Sequence, residues 1–226
     1  MALLHKADIT PSKIDLLSSW APAQPWFVGE AGVSVTNLAA YRFDDPEGQV
    51  GIETILITAG DGPVLQVPVT YRDAPLAGAE ASLITTMQHT VLGKRWVYDA
   101  TGDPVYLAAV ATAALTGGHQ AELTIELDGQ MVVREPTAVV AGSGAPGGPA
   151  VTAPAVADIT IRHEAGVTTV AAGSLRLVVA RVLGDDDVLA HRADGSTSHE
   201  LLAGTWPEQP ALRALVLVEQ LADARD

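Results

Sequence analysis

The spacing of hydrophobic and polar positions changes several times along the chain, and those changes divide it into elements. Ile14, Leu16, Leu17 and Trp20 recur at near-helical spacing behind Thr10, which can cap, and Pro11, which suits a first helical turn, so a short amphipathic helix is predicted over 10–20. Pro22 and Pro25 end it. From Val33 the period falls to two: VSVTNLAAYRF, GIETILIT and PVLQVPVTYR are β-rich runs separated by DDPEGQ and AGDG, the pattern of an antiparallel meander. Asp103 and Pro104 then supply a cap and first turn for YLAAVATAAL, which stops at Gly117-Gly118. This second helix is apolar almost all round and must be covered on several sides. Segments 120–127 and 130–135 flank Asp128-Gly129, a two-residue hairpin signal.

Beyond 135 the pattern breaks. AGSGAPGGPAVTAP carries no charge and is rich in Gly and Pro, so 136–154 reads as a linker or long surface loop. DITIRH, VTTVAA and LRLVVARVL follow as three short strands, closed by Asp185, Asp186 and Asp187 and the polar stretch HRADGSTSHE. In the last apolar run Leu212, Ala214, Val216 and Val218 alternate, which favours strand, while its Ala, Leu and Glu content favours helix. The expected fold is α+β. A curved antiparallel sheet from about 33 to 72 and 120 to 135 carries the helix from Pro104 to about Leu115 on one face, and a small antiparallel β module follows. The expected organisation is 1–135, a 136–154 connection, and 155–226.

Charge removes several classes of partner. The 226 residues include 13 Lys and Arg against 27 Asp and Glu, a formal net charge of −14. A surface so acidic disfavours partners bound through many phosphates, so neither nucleic acid nor an anionic membrane is expected. With 48% hydrophobic and 18% charged residues the chain can bury a core. It has no cysteine, which rules out disulfides, thiolate metal sites and thiol nucleophiles. MALLHKADIT lacks the apolar core of a signal peptide, and the one long apolar stretch, after Asp103, is closed by glycines after about four turns, so a cytoplasmic protein without a membrane span is expected.

Motifs for chemistry are sparse. The glycines from Gly142 to Gly148 lack the Gly-Lys-Ser/Thr ending of a phosphate loop. Asp185 to Asp187 lack the alternating spacing of a calcium loop, and His191, His199 and Glu200 fit no zinc spacing. No G-x-S-x-G elbow marks a serine. No catalytic residue, metal or cofactor is therefore expected. The densest group of large functional side chains is Lys94, Arg95, Trp96, Tyr98 and Asp99. Arg95, Trp96, Tyr98 and Asp99 are the candidate binding residues, expected at an exposed edge where the meander hands over to the helix; the competing reading is that Trp96 and Tyr98 anchor that helix.

QPWFVGE at 24–30, LQVPVTYRDAPL at 65–76 and RWVYDATGDPVYLAAV at 95–110 together resemble the N-terminal cap region of bacterial maltokinases. Tyr98, Asp99, Gly102 and Tyr106-Leu107 fall on or near the "YD-x-x-G-x-x-x-L" segment that opens the family's helix. LRLVVARVL at 175–183 looks like the kinase strand that carries an ATP-orienting lysine, yet Leu177 stands at that position. The only asparagine, Asn37, lies outside any catalytic-loop position. The resemblance implies a non-catalytic, cap-like interaction protein whose partner is an enzyme of α-glucan or trehalose metabolism, such as a sugar kinase. The alternatives are a module for a sugar or sugar phosphate, with Arg95, Trp96, Tyr98 and Asp99 as its contacts, and an enzymatic component of α-glucan metabolism.

Overall fold

A computed structural model describes residues 2–4, 8–30, 32–127, 130–164, 166–184, 188–189 and 198–221. The strands are β1 (Ala2–Leu4), β2 (Ile9–Thr10), β3 (Val35–Phe43), β4 (Gly51–Ala59), β5 (Val64–Arg72), β6 (Leu83–His89), β7 (Gly93–Asp99), β8 (Leu123–Leu127) and β9 (Gln130–Arg134). They continue as β10 (Val139–Gly142), β11 (Ile159–Glu164), β12 (Val167–Ala172), β13 (Leu175–Ala180), β14 (Val182–Leu183), β15 (His199–Trp206) and β16 (Gln209–Gln220). Two α-helices accompany them, α1 (Lys13–Trp20) and α2 (Pro104–Thr116).

Nearly all the pairing is antiparallel, in three sheets. The first runs β2-β6-β7-β5-β4-β3, with β14 added alongside β5; the second runs β10-β15-β16-β13-β12-β11; the third is β1-β8-β9. The meander of 33–72 is therefore present as β3, β4 and β5. Its centre is covered on both faces, and for that reason GIETILITA and VLQVPVTYR read as nearly unbroken buried runs. On one face Ile55, Ile57, Leu65, Val67 and Val97 pack with Leu16 and Leu17 of α1 and with Trp26. On the other, Tyr41, Ile52 and Leu56 share a core with Tyr106, Leu107 and Val110 of α2 and with Leu177, Leu215 and Val216 of the second sheet. Each such aliphatic side chain removed from water contributes about 1.5–3 kcal/mol, so this shared core holds the two halves of the chain together.

Three expectations need correction. The 120–135 hairpin does not extend the first sheet: β8 pairs with β9 and, in parallel, with β1. The outer edge of β3 is instead satisfied locally, because the Thr137 hydroxyl bonds both the N–H and the carbonyl of Ala40 and the Ala121 N–H donates to the Arg42 carbonyl. The turn at Asp128-Gly129 lies outside the described residues. Second, α2 lies against β10, β15 and β16 as well as the first-sheet core, so it sits between layers and not on one face of the meander. Third, the cap of α1 is Ser12, whose Oγ accepts from the Asp15 N–H, and Thr10 belongs to β2.

The Gly-rich segment is partly structural. It forms β10, paired with β15, and Gly142 and Gly144 lie against the C-terminal turns of α2. The Gly144 N–H donates to the Ala114 carbonyl at 2.8 Å, and Gly117, at φ 65°, makes the left-handed stop of that helix. The last apolar run is a strand, β16, the direction in which its alternation pointed. Asp185, Asp186, Asp187 and His191 lie outside the described residues. Among the described residues no helix is long and apolar enough to cross a membrane.

Candidate binding groove and the segment Arg95 to Asp99

The sequence-predicted residues sit on β7, which is interior to its sheet between β6 and β5, so the segment is not at an exposed edge. Alternation along the strand splits them between two faces. Tyr98 is 1% exposed, and its hydroxyl oxygen accepts the Leu76 N–H at 2.8 Å. Asp99 is also buried, accepts from the Thr101 N–H and hydroxyl, and takes two contacts from Arg181 Nη2 at 2.7 and 2.8 Å. Trp96 is half-buried, with Lys94 Nζ 4.6 Å from its ring centroid. Only Arg95, half-buried opposite Met87 of β6, reaches a cavity.

That cavity is a groove of about 710 Å³, within the size range of small-molecule sites. It crosses the α1 face of the first sheet. Register explains how it is assembled: Arg42 of β3 pairs with Glu53 of β4, Gly51 of β4 with Tyr71 of β5, and Met87 of β6 with Arg95 of β7. Lys13, in the first turn of α1, reaches over them. The lip is the turn from Asp44 to Gln49, held in shape by Asp45, whose carboxylate accepts the N–H groups of Glu47, Gln49 and Val50. Ile9, Met87 and Leu92 supply its apolar lining.

Next to the lining residues Lys13 and Tyr71, Glu53 is 6% exposed; its Oε2 accepts from Lys13 Nζ at 2.6 Å and from the Tyr71 hydroxyl at 2.8 Å. Burial pushes this carboxyl up, but the Lys13 and Arg42 charges and the two hydrogen bonds outweigh it and hold it below the usual carboxylate range. The same contact, with burial as the larger cause, drives the Tyr71 phenol well above its ordinary value. Tyr71 is thus a fixed proton donor to an ionised Glu53. Arg42 Nε is buried without a hydrogen-bond partner among the described residues.

Sequence reasoning missed Lys13, Arg42, Glu53 and Tyr71. Their signal was a polar residue at a position of one parity in each of three neighbouring strands, which becomes visible as a cluster only once the register is known. Arg181 escaped for a similar reason: it follows an apolar strand and meets Asp99 across 82 residues of chain.

Residues 20–103 match the family model of the maltokinase N-terminal cap domain. The matched segment runs from the last residue of α1 to the N-cap of α2 and contains β3 to β7, the strands that build the groove apart from its α1 flank. No curated protein matches the chain.

Proposed function

We propose that this chain, whose residues 20–103 match the maltokinase N-terminal cap domain, acts as a non-catalytic interaction protein of α-glucan or trehalose metabolism, docking on an enzyme that converts maltose or trehalose. The observation that carries the docking role is β9. This strand ends its sheet, and all five of its residues are exposed, with Met131 and Val133 each 55% and Val132 39% accessible. An apolar strand with an unpaired edge is a template for a partner's strand, and isolated proteins normally blunt such edges with charge or proline. Gln130 and Arg134 flank the three apolar residues without interrupting them.

The non-catalytic part of the reading draws on Leu177. At the position where the family resemblance calls for an ATP-orienting lysine, this side chain is fully buried in β13 and offers no charge to a phosphate. The matched cap segment ties the reading to maltokinase-type metabolism. Affinity purification of the tagged chain, co-expressed in turn with a maltose kinase and a trehalose-converting enzyme, tests it. Retention of one of these enzymes by the wild type, and its loss with Val132→Lys, supports the reading; no retention of either, or retention indifferent to the substitution, refutes it.

A further inference from the structure

The groove holds an asymmetry between its acids and its bases. Of the two acids that line it, Asp45 already accepts three backbone N–H groups and Asp44 has an interaction of its own, while Glu53, next to the lining residues Lys13 and Tyr71, is bonded by both. Among the bases, Arg42 and Arg95 make no side-chain hydrogen bond or ion pair with any described residue, and the buried Nε of Arg42 is left over. A guanidinium presents five donors in a planar fork, and it is costly to hold a donor such as the Arg42 Nε out of water without an acceptor. Two such forks line one cavity of a chain that has only 13 Lys and Arg in all.

We propose that the groove is a binding site for a small oxyanion-bearing molecule, a phosphate monoester or a carboxylate, gripped by Arg42 and Arg95 with its body on the apolar lining. The fork geometry suits two oxygens of one anionic group, and charge-assisted bonds of this kind are the stronger class of hydrogen bond. Ile9 and Leu92 offer apolar surface for the uncharged remainder of the ligand, and Lys13 stays committed to Glu53. The net charge of −14 opposes an anion at long range. That opposition is screened beyond roughly 8 Å at physiological ionic strength, whereas contacts inside the groove are screened much less. The inference goes beyond the docking role: β9 and the groove belong to different sheets, so either can fail without the other.

Titration calorimetry with glucose 1-phosphate, glucuronate, inorganic phosphate and glucose tests the proposal, since the four probes separate phosphate from carboxylate and both from an uncharged ring. Saturable binding of glucose 1-phosphate or glucuronate is expected, with glucose at least tenfold weaker. Arg95→Gln should weaken the anion about tenfold or more, as loss of one bidentate charged contact implies. Arg42→Gln is the companion variant, and Arg95, being half-buried with no hydrogen-bond or ion-pair partner among the described residues, is the substitution that leaves the fold intact. Inorganic phosphate binding as well as the sugar phosphate would keep the oxyanion site and shrink the role of the lining. Absence of binding by every anion, equal binding of glucose, or anion affinity unchanged in Arg95→Gln would overturn the proposal.

Discussion

Arg181 and Asp99 form a buried ion pair in which Nη2 of the arginine contacts both oxygens of the carboxylate, at 2.8 and 2.7 Å. The arginine is fully buried, its Nε donates to the Thr168 hydroxyl, and its guanidinium lies 4.8 Å from the Trp26 ring centroid. One contact set thus joins the end of β7, the segment after α1 and strand β12 of the second sheet. Gln66 works beside it: its Nε2 donates to the carbonyls of Ala180 and Leu215, while its Oε1 accepts from the Tyr41 hydroxyl. Residues 20–103 and the second sheet are bonded through buried polar groups.

Removing one member of that pair leaves the other charge uncompensated. Asp99→Ala should cost about 3–5 kcal/mol in urea denaturation, the range for breaking a buried pair. Replacing both, as Arg181→Met with Asp99→Leu, should cost less than the sum of the single changes. Additivity of the two single effects would show that the residues do not interact.

Tyr98 and Trp96 separate two readings of the same strand. Tyr98→Ala empties a fully buried site and should cost about 3–5 kcal/mol, as large-to-small core changes do. Trp96 is half-buried and covered partly by an exposed lysine, so Trp96→Ala should cost distinctly less. Equal losses from the two variants, measured by thermal or chemical melting, would mean that Trp96 is core as well.

Glycines at the end of α2 are required by space. A Cβ on Gly142 would collide with the Ala113 carbonyl oxygen, and one on Gly144 with that of Leu115. Gly144→Ala should therefore lower the melting temperature sharply, whereas Gly147→Ala, with nothing near its Cβ and only a positive φ of 90° to strain, should lower it less. A reversed order would return this segment to the status of a free connection.

Glu53 sets an acid limit. Its folded carboxyl lies below the ordinary value, so the unfolded chain binds the proton more readily and stability rises with pH through that window. The contribution is complete above the ordinary carboxylate range and is lost as pH falls through the folded value. Lys13→Met removes one cause of the depression, and circular dichroism should then find acid unfolding at a higher pH than in the wild type. Coincident acid transitions would remove Lys13 from the account.

The meander, α2 and the alternation of β16 were legible because each is written in local periodicity and turn residues. The Gly-rich run misled because flexible connection and close backbone approach demand the same residue, and only the position of α2 decides between them. Tyr98 and Asp99 looked like a docking surface because large polar and aromatic side chains are common there; what buries them is Arg181 and Leu76, neither of which local spacing connects to β7. The groove was invisible for the same reason, since Arg42, Glu53, Tyr71 and Arg95 come together only through four-strand register.

The docking role is tested most directly by sedimentation velocity on an equimolar mixture of this chain with a purified maltose kinase or trehalose-converting enzyme. The account predicts a faster species containing both proteins, absent when Met131→Glu and Val133→Glu place charge on β9 without touching the core. Two independent boundaries for every such enzyme, or a complex that survives both substitutions, would contradict it.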